Sequence, residues 1–143
     1  MAESYKDLRV YKLAYELGLE IHSLTMAFPK FELYELGSQM RRCSKSVPAN
    51  IAEGYGRSHY GADFIRFLVF ALASSDEIAV HLQYALDLGY ISEEIYASLA
   101  DRYDHVGKML YRLVDSLDTR SRVAGDIRDS RLKRETQNAR LET

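Results

Sequence analysis

The spacing of apolar residues along the chain is helical, and it is clearest in the last long segment. Apolar side chains recur there at alternating spacings of three and four, a seven-residue repeat typical of left-handed helix packing. The repeat comprises Tyr96, Leu99, Tyr103, Val106, Leu110, Leu113 and Leu117. Ser92, followed by Glu93 and Glu94, is a good N-cap with acidic residues in the first turn. The pattern predicts a helix from Ser92 to about Asp118.

Three further helices are predicted upstream, separated by short breaks. The first runs from residue 4 or 5 to about Ala27, where Phe28-Pro29 stops it. The second spans about Tyr34 to Tyr55, and the third runs from near Tyr60 to Gly89. Short connections between long helices make antiparallel neighbours. We therefore expect an all-α fold, an antiparallel up-down-up-down four-helix bundle.

The third helix is apolar around nearly its whole circumference between residues 64 and 73. A helix in a lone bundle needs one polar face, and exposed apolar surface costs roughly 25 cal/mol per Å². We therefore predict self-association through this helix, with Phe64, Phe67 and Phe70 at the interface. The alternative is that neighbouring helices of the same chain cover it completely.

A polar stripe follows one side of the second helix. At about 100° per residue, its members fall within roughly 80° beside the apolar face. They are Glu35, Gln39, Arg42, Ser46, Asn50 and Glu53. We interpret Gln39, Arg42, Ser46, Asn50 and Glu53 as a polar seam that sets register within the bundle or between subunits. A ligand pocket and ordinary solvated surface are the alternatives.

Composition limits the class of protein. The chain has 143 residues, enough for one compact domain, and its single cysteine, Cys43, excludes an internal disulfide and a Cys-rich zinc site. We expect the reducing cytoplasm as its location. The longest apolar stretch is too short to cross a bilayer, so no membrane partner is expected.

Charge is distributed unevenly along the chain. The formal net charge is −2, but residues 1–118 carry 12 Lys+Arg and 17 Asp+Glu, whereas residues 119–143 carry 7 and 4. We predict a bundle over residues 1–118, followed by a basic tail or a marginal helical extension over residues 119–143. Basic residues could bind phosphate. The candidate nucleic-acid contacts are Arg41, Lys45 and Arg57 near the second helix, and Arg131, Lys133 and Arg134 in the tail.

The residues offer little support for catalysis or metal binding. Glu77 with His81, and Asp101 with His105, are pairs at i,i+4, but neither Glu-x-x-His nor His-Glu-x-x-His occurs. Cys43 lies on the apolar stripe of the second helix and is interpreted as a core residue. We therefore predict no catalytic residue, metal, cofactor or small-molecule substrate. A metal-dependent bundle enzyme is the weaker alternative.

The second helix carries the motifs of a known family. The stretches are Phe28-Pro29, Glu35-Leu36, Gln39 to Arg42, and the block Ser46-Val47-Pro48-Ala49-Asn50-Ile51-Ala52-Glu53-Gly54. With Tyr5-Lys6-Asp7-Leu8 and Leu88-Gly89-Tyr90-Ile91, they closely resemble the bacterial four-helix bundle family named after intervening sequences in 23S ribosomal RNA genes. The resemblance covers about residues 5–117. Cys43 stands where the family more often has alanine.

The resemblance implies an antiparallel four-helix bundle that assembles as a homopentameric ring, in a family whose molecular role is mostly undefined. A related branch, the accessory proteins of diversity-generating retroelements, binds a reverse transcriptase and nucleic acid through a basic surface. Our first hypothesis is a non-enzymatic, cytoplasmic, homo-oligomeric scaffold or accessory protein. The rival is an accessory protein that binds RNA or DNA, with a reverse transcriptase or ribosomal RNA as its partner.

Overall fold

The structure, a computed structural model, describes residues 4–142, and the side chains of all of these except residues 121–125. It contains four long α-helices and two single-turn 3₁₀ helices, and residues 4–142 contain no β-strand. The α-helices are α1 (Arg9–Met26), α2 (Leu36–Tyr55), α3 (Gly61–Asp87) and α4 (Glu93–Leu141), and the 3₁₀ helices are Tyr5–Asp7 and Lys30–Glu32. The predicted all-α class is therefore confirmed.

The helices pack around one apolar core. Each α-helix packs along the next in the chain and α1 also packs along α4, whereas among the described residues no Cα atoms of α1 and α3, or of α2 and α4, approach within 8 Å. Leu17, Met40, Leu68 and Leu110, one from each α-helix, are completely buried in this core. α1 and α3 therefore lie diagonally opposite each other.

The first two helices begin later than the sequence pattern predicts. Ser4 and Asp7 form a capping box around the first 3₁₀ turn, after which Leu8 adopts an extended conformation that delays α1 to Arg9. The second 3₁₀ helix occupies Lys30–Glu32, and α2 begins at Leu36 rather than near Tyr34. A capping box precedes the first start, and a 3₁₀ turn without a side-chain cap precedes the second; hydrophobic periodicity includes neither feature.

The connection between α3 and α4 follows sequence signals closely. Gly89 has a φ of 80°, and the Gly89 and Tyr90 amides donate to the carbonyls of Leu86 (3.0 Å) and Ala85 (2.9 Å). These two bonds are a Schellman motif, which favours glycine because the left-handed conformation strains residues with a Cβ. Ser92 Oγ then accepts from the Ile95 amide at 3.1 Å and caps α4.

α4 continues well beyond the core, to Leu141. At 1.5 Å per residue its 49 residues span about 74 Å. All the side chains from residue 126 to residue 142 are exposed, so this extension lies outside the apolar core. The division of the chain at residue 118 stays a prediction. None of the described helices is long and apolar enough to cross a membrane.

Candidate functional site between α2 and α3

The contact between α2 and α3 is very close at Gly54. A Cβ atom at this position would lie 2.9 Å from the Phe67 Cβ atom and 3.1 Å from the Phe64 Cδ2 atom. The Phe64 side chain, only 6% exposed, fills the space beside Gly54 and contacts the Tyr55 ring edge-on with centroids 6.3 Å apart. Phe64 is therefore a core residue, and its predicted place at a subunit interface is wrong because its own chain already covers it.

One member of the predicted polar seam, Ser46, contacts α3 within the chain, and a second, Asn50, bonds to Ser46. The hydroxyl oxygens of Ser46 and Ser74 lie 2.8 Å apart. The Asn50 side-chain amide donates to the Ser46 carbonyl at 2.9 Å and to the Ser46 Oγ atom at 3.0 Å. The Ser46–Ser74 contact joins α2 to α3, whereas the Asn50 bonds lie within α2 and orient the Ser46 hydroxyl.

The other three members of the seam lie toward the surface. Gln39 and Arg42 line a cavity of about 240 Å³. Its remaining lining residues are Cys43, Ser46, Ser74 and Glu77. Glu53 lies apart from this cavity and pairs with Arg57 at 3.4 Å. The predicted stripe is therefore divided into an internal helix contact, a cavity rim and a surface ion pair.

Exposed apolar residues lie along one side of α3, interrupted by the exposed carboxylates of Asp76 and Glu77. We call Val69, Phe70, Val80 and Tyr84 the α3 face. Each of these side chains is about half exposed. Phe67 lies at the edge of the face, half-buried, with the Arg57 guanidinium 4.8 Å and the Arg66 guanidinium 5.3 Å from its ring centroid. Phe70 was predicted from the sequence, whereas Val80 and Tyr84 were missed, although their helical spacing was a usable signal.

The candidate nucleic-acid contacts occupy different environments. Arg41 turns inward: its guanidinium donates to the Thr25 hydroxyl at 3.0 Å and to the Leu33 carbonyl at 2.6 Å. Its predicted role as an outward phosphate contact is therefore corrected, because these bonds hold the connection between α1 and α2. Lys45 is exposed, and its Nζ atom lies 3.2 Å from the His22 Nδ1 atom. Arg131, Lys133 and Arg134 are exposed on the extension of α4, where Arg131 pairs with Glu135 at 3.7 Å.

Cys43 lies beside the Glu77–His81 pair of α3. The ligand atoms of these three side chains all lie within 4.8 Å of one another, and the His81 Nε2 atom is 3.5 Å from a Glu77 carboxylate oxygen. Cys43 is buried, and its thiol donates to the Met40 carbonyl at 3.6 Å. The sequence alone does not bring Cys43 and the Glu77–His81 pair together, because helical phase does not show which positions of two helices face each other.

Burial and the nearby Glu77 carboxylate raise the pKa of the Cys43 thiol from an ordinary value near 9.0 to about 12. A raised pKa means that the protonated thiol persists at neutral pH, so the reactive thiolate fraction is roughly a thousandfold smaller than for a free cysteine. This environment favours the protonated thiol of a core residue.

This pKa gives a testable prediction for the protein in chelator. The native Cys43 thiol should react with iodoacetamide at least about a hundredfold more slowly than the same thiol in denaturant. Below the folded pKa, the native rate should rise about tenfold per pH unit up to at least pH 10, whereas the rate in denaturant should level off above about pH 9. Mass spectrometry of the alkylated chain measures both rates, and equal rates at pH 8 would contradict the prediction.

Comparison with known proteins places this chain in a family. A family model described as the 23S rRNA-intervening sequence protein matches residues 6–112. The chain belongs to this family. The match includes α1, α2, α3 and the first part of α4, so it contains the site between α2 and α3 and ends before the basic extension.

A solved structure supports the same assignment. The chain is similar to a protein of unknown function from the S23 ribosomal protein family of Bacteroides thetaiotaomicron VPI-5482, with a TM-score of 0.68 and 25% sequence identity. The match covers 74% of this chain and 95% of that protein. No curated protein matches the chain. The family is therefore shown, together with a helical fold shared with a protein of unknown function.

Proposed function

We propose that this chain is the subunit of a homo-oligomeric scaffold or accessory protein without enzymatic activity, acting in the cytoplasm. In this proposal the four α-helices form an antiparallel up-down-up-down bundle, and five bundles close into a homopentameric ring. The single observation that carries the proposal is the α3 face, whose apolar side chains no other part of the described chain covers.

The apolar surface of α3 is large for an exposed helix. Phe70, Val80 and Tyr84 are 48%, 56% and 59% exposed. Burying apolar surface stabilises a complex by roughly 25 cal/mol per Å², and contiguous apolar patches on soluble proteins commonly mark interfaces. Tyrosine and phenylalanine are also favoured at the buried centres of interfaces. A second copy of this chain supplies a partner of matching chemistry.

A closed ring needs two different contact surfaces on each subunit, because its interfaces are heterologous. The second surface that we propose is on α1, where Tyr15 is 51% and Leu19 is 56% exposed. Both residues line a cavity of about 510 Å³ between α1 and α2. Because α1 lies diagonally opposite α3, the two apolar surfaces face in different directions. This arrangement supports a ring rather than a two-fold dimer.

The proposal predicts the effect of a charge on the α3 face. Val80→Glu should weaken self-association at least about 30-fold, because the interface would bury an unpaired carboxylate. Leu19→Glu should have the same effect from the opposite surface. Sedimentation velocity at micromolar concentration measures the mass distribution of each variant.

Phe31→Glu is the matched control for these variants. Phe31 is 71% exposed and lies in the connection between α1 and α2, outside both proposed surfaces. The control should retain the mass of the parent protein. An unchanged mass for both Val80→Glu and Leu19→Glu would contradict the proposed interface, as would equal dissociation of all three variants.

A second candidate function is nucleic-acid binding, favoured by the exposed basic residues on the extension of α4. Lys133 and Arg134 are adjacent and exposed, and Arg128 and Arg131 precede them on the same helix. In a ring, several copies of this extension would raise the local density of positive charge, which strengthens attraction to phosphate. RNA or DNA, in association with a reverse transcriptase or with ribosomal RNA, would be the partner.

Salt dependence tests this second function. Fluorescence anisotropy with labelled RNA and DNA should show affinity that falls linearly with salt on a double-logarithmic plot. Lys133→Glu with Arg134→Glu should make this slope shallower by about one for each phosphate group that the variant no longer binds. Lys30→Glu, at an exposed position in the connection between α1 and α2, should leave the slope unchanged. The absence of RNA and DNA binding by the full chain at low salt would contradict this function.

A further inference from the structure

A cluster of three metal-ligating side chains lies beside the cavity between α2 and α3, at the edge of the α3 face. Cys43 comes from α2, and Glu77 and His81 come from α3, one helical turn apart. Their sulfur, oxygen and nitrogen atoms lie within 4.8 Å of one another. We propose that Cys43, Glu77 and His81 bind one divalent transition-metal ion per chain, and that Zn²⁺ matches this ligand set best.

The state of the His81 side chain points to a ligand. The His81 side chain is only 12% exposed. Its Nε2 atom is buried and forms no hydrogen bond with any described residue. A buried imidazole nitrogen without a hydrogen bond costs free energy, whereas coordination to a metal satisfies it. The Glu77 carboxylate oxygen, 3.5 Å away, supplies negative charge on the same side.

The spacing of the three atoms fits a tetrahedral ion after a small adjustment. Zn–S distances near 2.3 Å and Zn–N or Zn–O distances near 2.0–2.2 Å place ligand atoms about 3.5 Å apart. Cys43 and His81 are held in the helix contact, while the Glu77 side chain is 57% exposed and can rotate toward them. The Glu77 oxygen and the His81 Nε2 atom, 3.5 Å apart, already have this separation. The distances from the Cys43 sulfur atom are at most 4.8 Å, so small rotations of these side chains complete the three-ligand set.

The chemistry of the ligands selects the metal. One thiolate, one imidazole and one carboxylate combine soft, intermediate and hard donors, a mixture that Zn²⁺ accepts and that Mg²⁺ and Ca²⁺ do not favour. With a neutral imidazole, the two negative ligands balance the charge of a divalent ion. Three protein ligands leave a fourth position open, and the cavity of about 240 Å³ beside Cys43 and Glu77 can hold a water molecule there.

Metal titration of the full-length protein tests the proposal. After removal of metal with a chelator, the protein should bind one equivalent of Zn²⁺ by isothermal titration calorimetry. Co²⁺, used as a spectroscopic probe, should give a thiolate-to-metal charge-transfer band that disappears in Cys43→Ala. His81→Ala and Glu77→Gln should each weaken Zn²⁺ binding by at least about 10- to 100-fold.

The chain offers a closely matched control. Asp101 and His105 form a second acid–histidine pair at i,i+4 on exposed surface of α4, without a cysteine beside them among the described residues. His105→Ala should bind Zn²⁺ as the parent does. Far-UV circular dichroism checks that each variant is folded, and Glu77→Gln, at an exposed position, keeps the test decisive if Cys43→Ala unfolds. No stoichiometric Zn²⁺ binding, no thiolate band with Co²⁺, or equal affinity of the Glu77→Gln and parent proteins would overturn the proposal.

Discussion

Gly54→Ala is expected to lower the free energy of unfolding by about 2 kcal/mol, although alanine is the better helix former. The added methyl group would lie 2.9 Å from the Phe67 Cβ atom and 3.3 Å from the Phe64 carbonyl oxygen. These atoms belong to the backbone of α3 or lie directly beside it, so rotation of a side chain cannot relieve the clash. α2 and α3 would have to separate, which would disturb the Ser46–Ser74 contact.

Gly107→Ala is the matched control for this substitution. Gly107 lies within α4, and a Cβ atom there would meet nothing within 4 Å. The same chemical change should therefore stabilise the protein by about 0.5–1 kcal/mol, because alanine reduces the entropy of the unfolded chain. Urea denaturation followed by circular dichroism gives both values. If Gly54→Ala were as stable as Gly107→Ala, the close approach of α2 and α3 at Gly54 would be contradicted.

Arg41→Ala is expected to lower the free energy of unfolding by about 3 kcal/mol. The substitution removes two charge-assisted hydrogen bonds and leaves the Leu33 carbonyl without this donor. The second of these two bonds goes to the Thr25 hydroxyl, whose residue is only 1% exposed. The guanidinium joins the end of α1 to the segment before α2, so its removal should loosen that connection.

Two substitutions separate this role of Arg41 from its charge. Arg41→Lys keeps the charge but not the forked geometry of the guanidinium. It should recover at most about half of the free energy of unfolding that Arg41→Ala loses. Arg42→Ala, at the exposed neighbouring position, should change stability by less than about 0.5 kcal/mol. Guanidinium chloride denaturation measures the free energy of unfolding of all three variants. Equal stabilities for Arg41→Ala and Arg42→Ala would show that the two hydrogen bonds of Arg41 contribute nothing.

Hydrophobic periodicity was sufficient to predict the helices, because which face of a helix is apolar depends on nearby residues alone. Val106 and Leu110 in α4 and Val47 and Ile51 in α2 are completely buried, as their spacing indicates. Periodicity was uninformative for the third helix between residues 64 and 73, because nearly every position there is apolar. That is why Phe64, a core residue, and Phe70, an exposed one, were assigned to the same surface.

The candidate site depends on information that one helix does not contain. Long side chains on a helix lean toward its N-terminus, which carries the Arg41 guanidinium back to Leu33 even though its Cα position faces outward. Cys43 meets His81 only because α2 and α3 pack in one particular rotational register. Gly54 in the family motif was the strongest sequence signal for that register, since glycine permits the close approach of two helices.

The central claim is that copies of this chain assemble through the α3 face into a closed ring. The most direct measurement is the mass of the unmodified protein by sedimentation equilibrium over a range of micromolar concentrations. The proposal predicts a single species of about 82 kDa, five times the 16.4 kDa of one chain, with no intermediate masses because a ring closes. A monomer of 16.4 kDa at every concentration would contradict it.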